Sequence, residues 1–149
     1  MERPNIKGTY QLVRRELPDG TFQHPPVVKG MFTYTEEFRN FSVLWIDDDG
    51  KYYSECYVAR YTLTDSEYKE TSEYIINHDQ IRRKDWRKDF SYDLSNNTAS
   101  SQVSYDNGVI SFALPQPFEK ELSIILEFKG NELIATAEGL FIDYWEKVS

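Results

Sequence analysis

The sequence predicts an all-β protein, an antiparallel up-and-down β-barrel of about 8–10 strands in a single domain spanning 1–149. Three observations predict it. Short stretches of alternating apolar and polar residues recur along the chain, and no window of useful length keeps helical spacing. Aromatic residues make up 15% of the 149, with 11 tyrosines and 9 phenylalanines, side chains that suit a pleated, half-buried surface. The turn sequences DDDG, YDNG and KGN leave only a few residues between neighbouring stretches, as antiparallel hairpins require. A meander of this many strands has two edges to protect, and closing it into a barrel removes both.

The elements follow in order. The first strand covers 9–17 and ends at Pro18-Asp19-Gly20. The polar loop TFQHPPV comes next, and its two prolines forbid a central strand there. Strands are then predicted over 29–35, 41–47, 51–64 and 68–77. A charged connector leads to a sixth over 86–94. The chain continues with 100–105, 109–114, 122–128 and 133–138, and 141–148 extends or follows the last of these. No repeat, low-complexity tract or interdomain linker interrupts the series.

Two hairpins set a register. A two-residue turn at Asp65-Ser66 places Leu63 opposite Tyr68, Tyr61 opposite Glu70, Ala59 opposite Ser72 and Tyr57 opposite Tyr74, all on one face. The other face pairs Cys56, Val58, Arg60 and Thr62 with Ile75, Glu73, Thr71 and Lys69, with Arg60 and Glu73 close enough for a surface ion pair. A loop with Gly50 in the left-handed position sets Asp47 opposite Lys51 and Trp45 opposite Tyr53. Phe41, Val43 and Trp45 then share a face with Tyr53, Tyr57 and Tyr61. This more aromatic face is taken as the interior; a slip of one residue would invert it.

The segments GTYQLV, KGMFTYT, YVARYTLTDSEYKETSEY and YWEKV, in that order, resemble the bacterial lipocalin-like domain proteins, within the calycin group of up-and-down barrels. The Gly8-x-Tyr10 pair is similar to the Gly-x-Trp start of lipocalins, with Tyr in place of Trp. The resemblance implies that the aromatic ring packs across the closed end of the barrel. Gly8 would let the chain run close to neighbouring backbone. Tyr10 and Leu12 would point inward as a floor, with Trp145 near strand one.

Composition excludes several function classes. The net charge of −8 disfavours a nucleic-acid partner. No apolar run reaches the ~20 residues of a membrane span, and the first residues carry no apolar signal core, so a cytoplasmic protein is expected. One cysteine, Cys56, allows no internal disulfide and reads as structural. One Cys and two His lack metal-ligand spacing, and IDDDG lacks the remaining ligands of a calcium loop, so no metal is expected. No phosphate-binding or dinucleotide fingerprint is present, and a lone histidine does not make a haem site, so no cofactor is expected.

The candidate site is the tyrosine face. Trp45, Tyr53, Tyr57, Tyr61 and Tyr74 would line a cavity for a small apolar or amphipathic ligand, with Glu70 as its polar anchor; the same residues would equally serve as an ordinary aromatic core. Glu55 and Glu70 fall on the inward face, or at a wet rim. Glu70 and His78 are the candidate general acid–base residues of an enzymatic alternative, an isomerase, cyclase or hydratase. His78 also fits a turn residue. His24 belongs to a loop that would lie at the entrance. The basic run at 82–88 reads as a solvated connector. A filled, structural or partner-binding barrel is the third reading.

Overall fold

The computed structural model describes residues 5–48, 50–79, 90–93, 97–115 and 123–149. Among these the chain is all strand and turn. The strands are β1 (Gly8–Glu16), β2 (Phe22–Gln23), β3 (Val28–Tyr34), β4 (Phe38–Ile46), β5 (Tyr52–Leu63), β6 (Glu67–Asp79) and β7 (Phe90–Asp93). They continue as β8 (Thr98–Gln102), β9 (Ser104–Asp106), β10 (Val109–Pro115), β11 (Ser123–Lys129), β12 (Glu132–Ala137) and β13 (Phe141–Lys147). No helix among the described residues is long and apolar enough to cross a membrane. The basic run at 82–88 and the first part of the strand predicted over 86–94 lie outside the described residues.

Every pairing is antiparallel, in the order β7-β6-β5-β4-β3-β1-β13-β12-β11-β10-β9, and β8 pairs with β6. The sheet curls into a nearly closed up-and-down barrel, a form compatible with a calycin-like fold. The predicted strand over 100–105 is two strands, handed from one side of the seam to the other at Val103. Its first half pairs with β6 and its second with β10. Val103 donates its backbone N–H to the carbonyl of Ser66 at 2.9 Å. Splitting one segment between two neighbours brings the two margins of the sheet together.

Period-two burial explains the core. Ile110, Phe112 and Leu114 on β10 face Phe128, Leu126 and Ile124 on β11, and Leu133, Ala135 and Ala137 continue the interior face on β12. One end of the barrel is packed with rings. Tyr68 stacks on Phe112 with centroids 4.1 Å apart, and the Tyr34 and Tyr68 hydroxyls lie 2.8 Å from each other. Tyr10, Phe32 and Phe128 complete this end through edge contacts with Tyr34 and one another. Filling a barrel end with large rigid rings buries much apolar surface at little entropy cost.

The expected floor is present. Tyr10 and Leu12 are buried, and Leu12 pairs with Trp145 on β13. Gly8 has φ +140°, and a Cβ there would lie 2.5 Å from the carbonyl oxygen of Ser149. That close approach lets Thr9 take Ser149 as its backbone acceptor at 3.0 Å, which ties the two ends of the described chain together. The YDNG turn carries positive φ at both Asn107 and Gly108, the pairing that a tight hairpin needs.

The predicted hairpin registers hold up to a defined point. Leu63 faces Tyr68, Tyr61 faces Glu70, Ala59 faces Ser72 and Trp45 faces Tyr53. Arg60 Nε donates to Glu73 Oε1 at 2.9 Å. Beyond Ser72 a β-bulge adds Glu73 to β6, so Tyr57 faces Ile75 and not Tyr74, Val58 faces Tyr74, and Cys56 faces Ile76. An extra residue on one strand reverses the facing of all that follow. Ile75 therefore points inward, and Tyr74 lies on the outer face, 37% exposed.

Candidate functional site

The described residues do not fill the interior beyond the packed ring end. A cavity of about 440 Å³ lies toward the other end, where the β4–β5 and β12–β13 turns sit. Its size is within the range of pockets that enclose a drug-sized molecule. Leu140, half-exposed at the β12–β13 turn, is part of its lining, so the cavity reaches the surface there. Phe41, Val43 and Trp45 supply one wall from β4, and Leu126, Leu133 and Trp145 supply the wall across the barrel. Gly30 makes room for Trp145: a Cβ there would lie 2.8 Å from the indole.

Among the described residues two arginines enter this apolar space, each balanced by a carboxylate. Arg15 donates from Nε and Nη2 to the two oxygens of Asp143 at 2.7 and 2.8 Å, a bidentate pair between β1 and β13. Its guanidinium carbon also sits 4.1 Å from the ring centre of Phe141. Burial pushes the Asp143 carboxyl up from its ordinary value, and the Arg15 hydrogen bonds and charge pull against that rise. Arg39, on β4, donates from Nη1 to Glu70 Oε2 at 3.2 Å. Glu70 also accepts from the hydroxyls of Tyr57, at 2.8 Å, and Tyr68. The result is a closed network: a buried carboxylate with charge-assisted partners on both oxygens.

The residues singled out from sequence divide into three groups. Trp45 lines the cavity, and Tyr53 supports it from behind, its ring stacked on the indole at 5.6 Å and its hydroxyl donating to Asp47 Oδ2. Glu55 also lines the cavity. Tyr57, Tyr61 and Glu70 are buried but stand outside the lining. Tyr57 and Glu70 hold Arg39 in place, while Tyr61 packs against Tyr34 and Tyr68 in the ring-filled end and donates to the Thr35 carbonyl. Tyr74 and His78 do not join the site. His78 is not in a turn: it lies within β6 opposite Ser54 and Phe90, on the outer side of the sheet with Tyr74. Among the described residues its Nε2 is buried without a hydrogen-bond partner. His24 is in the loop between β2 and β3, at the cavity end, its carbonyl accepting from the Val27 N–H.

Arg39, Arg15 and Asp143 were not among the candidates, for different reasons. Arg39 has the same parity as Phe41 and Trp45, so extending that strand by a few residues would have found it. Arg15 gives no such signal. A bulge between Leu12 and Arg14 leaves both Val13 and Arg14 outward, Arg14 opposite Tyr144, and swings Arg15 in, and nothing in the alternation of β1 announces it.

No protein-family model matches the chain, and comparison with the curated proteins and with the solved structures found no match.

Proposed function

We propose that this barrel binds a small amphipathic molecule in the cavity, in the manner of a lipocalin-like carrier. The observation that carries the reading is the contrast between the two ends of one interior. One end is packed with interlocked rings, and the other keeps about 440 Å³ of space walled by aromatic and aliphatic groups. Apolar walls supply affinity, and a few fixed polar groups orient the ligand. Trp45, braced by Tyr53, is the aromatic wall; Glu70 contributes indirectly, by fixing Arg39. The single cysteine fits a reducing compartment such as the cytoplasm. An enzymatic use of Glu70 has less support, because both of its oxygens already accept hydrogen bonds from the protein.

The test is binding of an uncharged apolar dye, Nile red, followed by its fluorescence. Wild-type protein should bind it with one site per chain. Ala135→Phe, which puts a ring into the lining, should abolish binding while retaining the β-sheet circular dichroism. Dye binding that is indifferent to Ala135→Phe would place the apolar site elsewhere.

A further inference from the structure

The cavity has a deep end and a mouth, and an arginine stands at each. At the deep end Phe32 lies against Tyr34 of the ring-packed half, with ring centres 5.0 Å apart. Arg39 is sealed there. Its side chain is 6% exposed, and the ring centres of Phe32, Phe41 and Tyr57 lie 4.9, 5.2 and 5.4 Å from its guanidinium carbon. Arg15 stands at the mouth. It is the next-to-last residue of β1, where Glu16 pairs with Ile142, beside Phe141 and the half-exposed Leu140. Arg15, Asp143, Leu140 and Phe141 all line the cavity.

Only part of the Arg15 fork is used by the protein. Nε and Nη2 donate to the two oxygens of Asp143, and the face of the guanidinium rests on Phe141. Nη1 carries two further N–H groups and makes no hydrogen bond among the described residues. The buried side-chain atoms without a partner there are Arg39 Nε, His78 Nε2 and Ser101 Oγ. Arg15 Nη1 is not one of them, so it keeps open surface. The side chain points into the barrel and is 12% exposed, so that surface belongs to the cavity and its mouth. The bidentate pair with Asp143 holds the guanidinium still, and an arriving acceptor meets donors already in place.

The cost of desolvation decides between the two ends. A polar head beside Arg39 would lose all of its water, whereas a head on Arg15 keeps water on its outer side and gains a charge-assisted donor. The apolar remainder gains most in the deep part, between Trp145, Leu126 and Leu133. Resting on the cavity-binding reading above, we infer that the ligand is an amphiphile with a terminal oxygen acceptor, a carbonyl or a carboxylate, that enters tail first and leaves this oxygen on Arg15 Nη1 at the mouth. Arg15 is then the residue that sets the ligand's orientation.

The experiment is displacement of bound Nile red by nine-carbon probes. Methyl heptyl ketone and dibutyl ketone are isomers, and only the first can set its oxygen on Arg15 while keeping its whole chain inside. It should displace the dye at about tenfold lower concentration, the effect of one well-placed hydrogen bond to a charged group. Arg15→Lys keeps a charge beside Asp143 and removes the second nitrogen. It should still bind the dye and should bring the two isomers level. Equal displacement by the isomers in the wild type, or an advantage that survives Arg15→Lys, would overturn the orientation and leave the cavity reading standing. Nonanoate and nonylamine test the head itself. Nonylamine displacing the dye best of all the probes would overturn the acceptor assignment; otherwise the tighter of nonanoate and methyl heptyl ketone names the head as carboxylate or neutral carbonyl. Failure of the wild type to bind Nile red at all would overturn the cavity reading and this inference with it. If Arg15→Lys does not fold, the infrared carbonyl stretch of methyl heptyl ketone bound to the wild type decides: it should lie below its value in hexane, and an unshifted band would overturn the inference.

Discussion

Arg39 on β4 and Glu70 on β6 meet across the intervening strand β5, Nη1 to Oε2 at 3.2 Å, and neither side chain is more than 6% exposed. The pair stands at the boundary between the two halves of the interior. On one side Tyr57 and Tyr68 donate to Glu70; on the other Arg39 faces the cavity. Placing two charges here is expensive, and their mutual attraction offsets the desolvation only while both are present.

Removing one partner should therefore be severe. Glu70→Gln strands the Arg39 charge and should lower the unfolding free energy by about 3–5 kcal/mol, read as a shift of the urea midpoint without a change of slope. The double variant Arg39→Met with Glu70→Met, which removes both charges and keeps apolar volume, should recover most of that loss. A double variant as unstable as the sum of its two single variants would mean that the two side chains are not coupled.

Arg15→Met should show a pH-dependent cost. Burial raises the Asp143 carboxyl above its ordinary value while Arg15 opposes the rise. A raised carboxyl in the folded state holds its proton more tightly than in the unfolded chain, so stability is lost as pH rises through the interval between the two values. Without Arg15 that interval extends upward. The variant should be much less stable than wild type at about pH 7 and should close most of the gap by about pH 4, measured by urea unfolding at each pH. A gap of constant size would show that the ion pair is not what Arg15 contributes.

The buried tyrosines set an alkaline limit. Burial pushes the hydroxyls of Tyr34, Tyr57 and Tyr68 well above the usual phenol range, and the nearby Glu70 charge adds to the rise. The folded state then keeps protons that the unfolded chain gives up. Stability falls above about pH 10, by roughly 1.4 kcal/mol per pH unit for each such tyrosine. Absorbance titration should show these rings ionising only together with the loss of circular dichroism. Ionisation of all 11 tyrosines in a smooth curve with the fold intact would contradict the packing of the ring-filled end.

Much of this barrel is legible in the sequence, and the failures have local causes. Alternation and turn chemistry gave the strand order, the Trp45–Tyr53 and Tyr61–Glu70 pairings and the inward face of β4 and β5. The errors begin at two bulges, near Val13 and at Glu73, where one added residue reverses everything beyond it. The first hides Arg15, and the second puts Tyr74 on the wrong face. Arg39 was hidden by a turn tighter than expected: Thr35 bonds directly to the Phe38 carbonyl, so β4 starts before Phe41. The cavity itself has no signature in alternation. It depends on side-chain volumes summed across the barrel, rings at one end and Gly30, Val43 and Ala135 toward the other.

The most direct test of ligand binding is native mass spectrometry of the protein isolated from its own cells, beside the Ala135→Phe variant prepared in the same way. The account predicts one small molecule retained per wild-type chain, released on denaturation and missing from the variant, with a mass that extraction can match to a small amphipathic compound. Bare chain in the wild type, together with no uptake of Nile red by that same preparation, would contradict the claim that this cavity is a binding site.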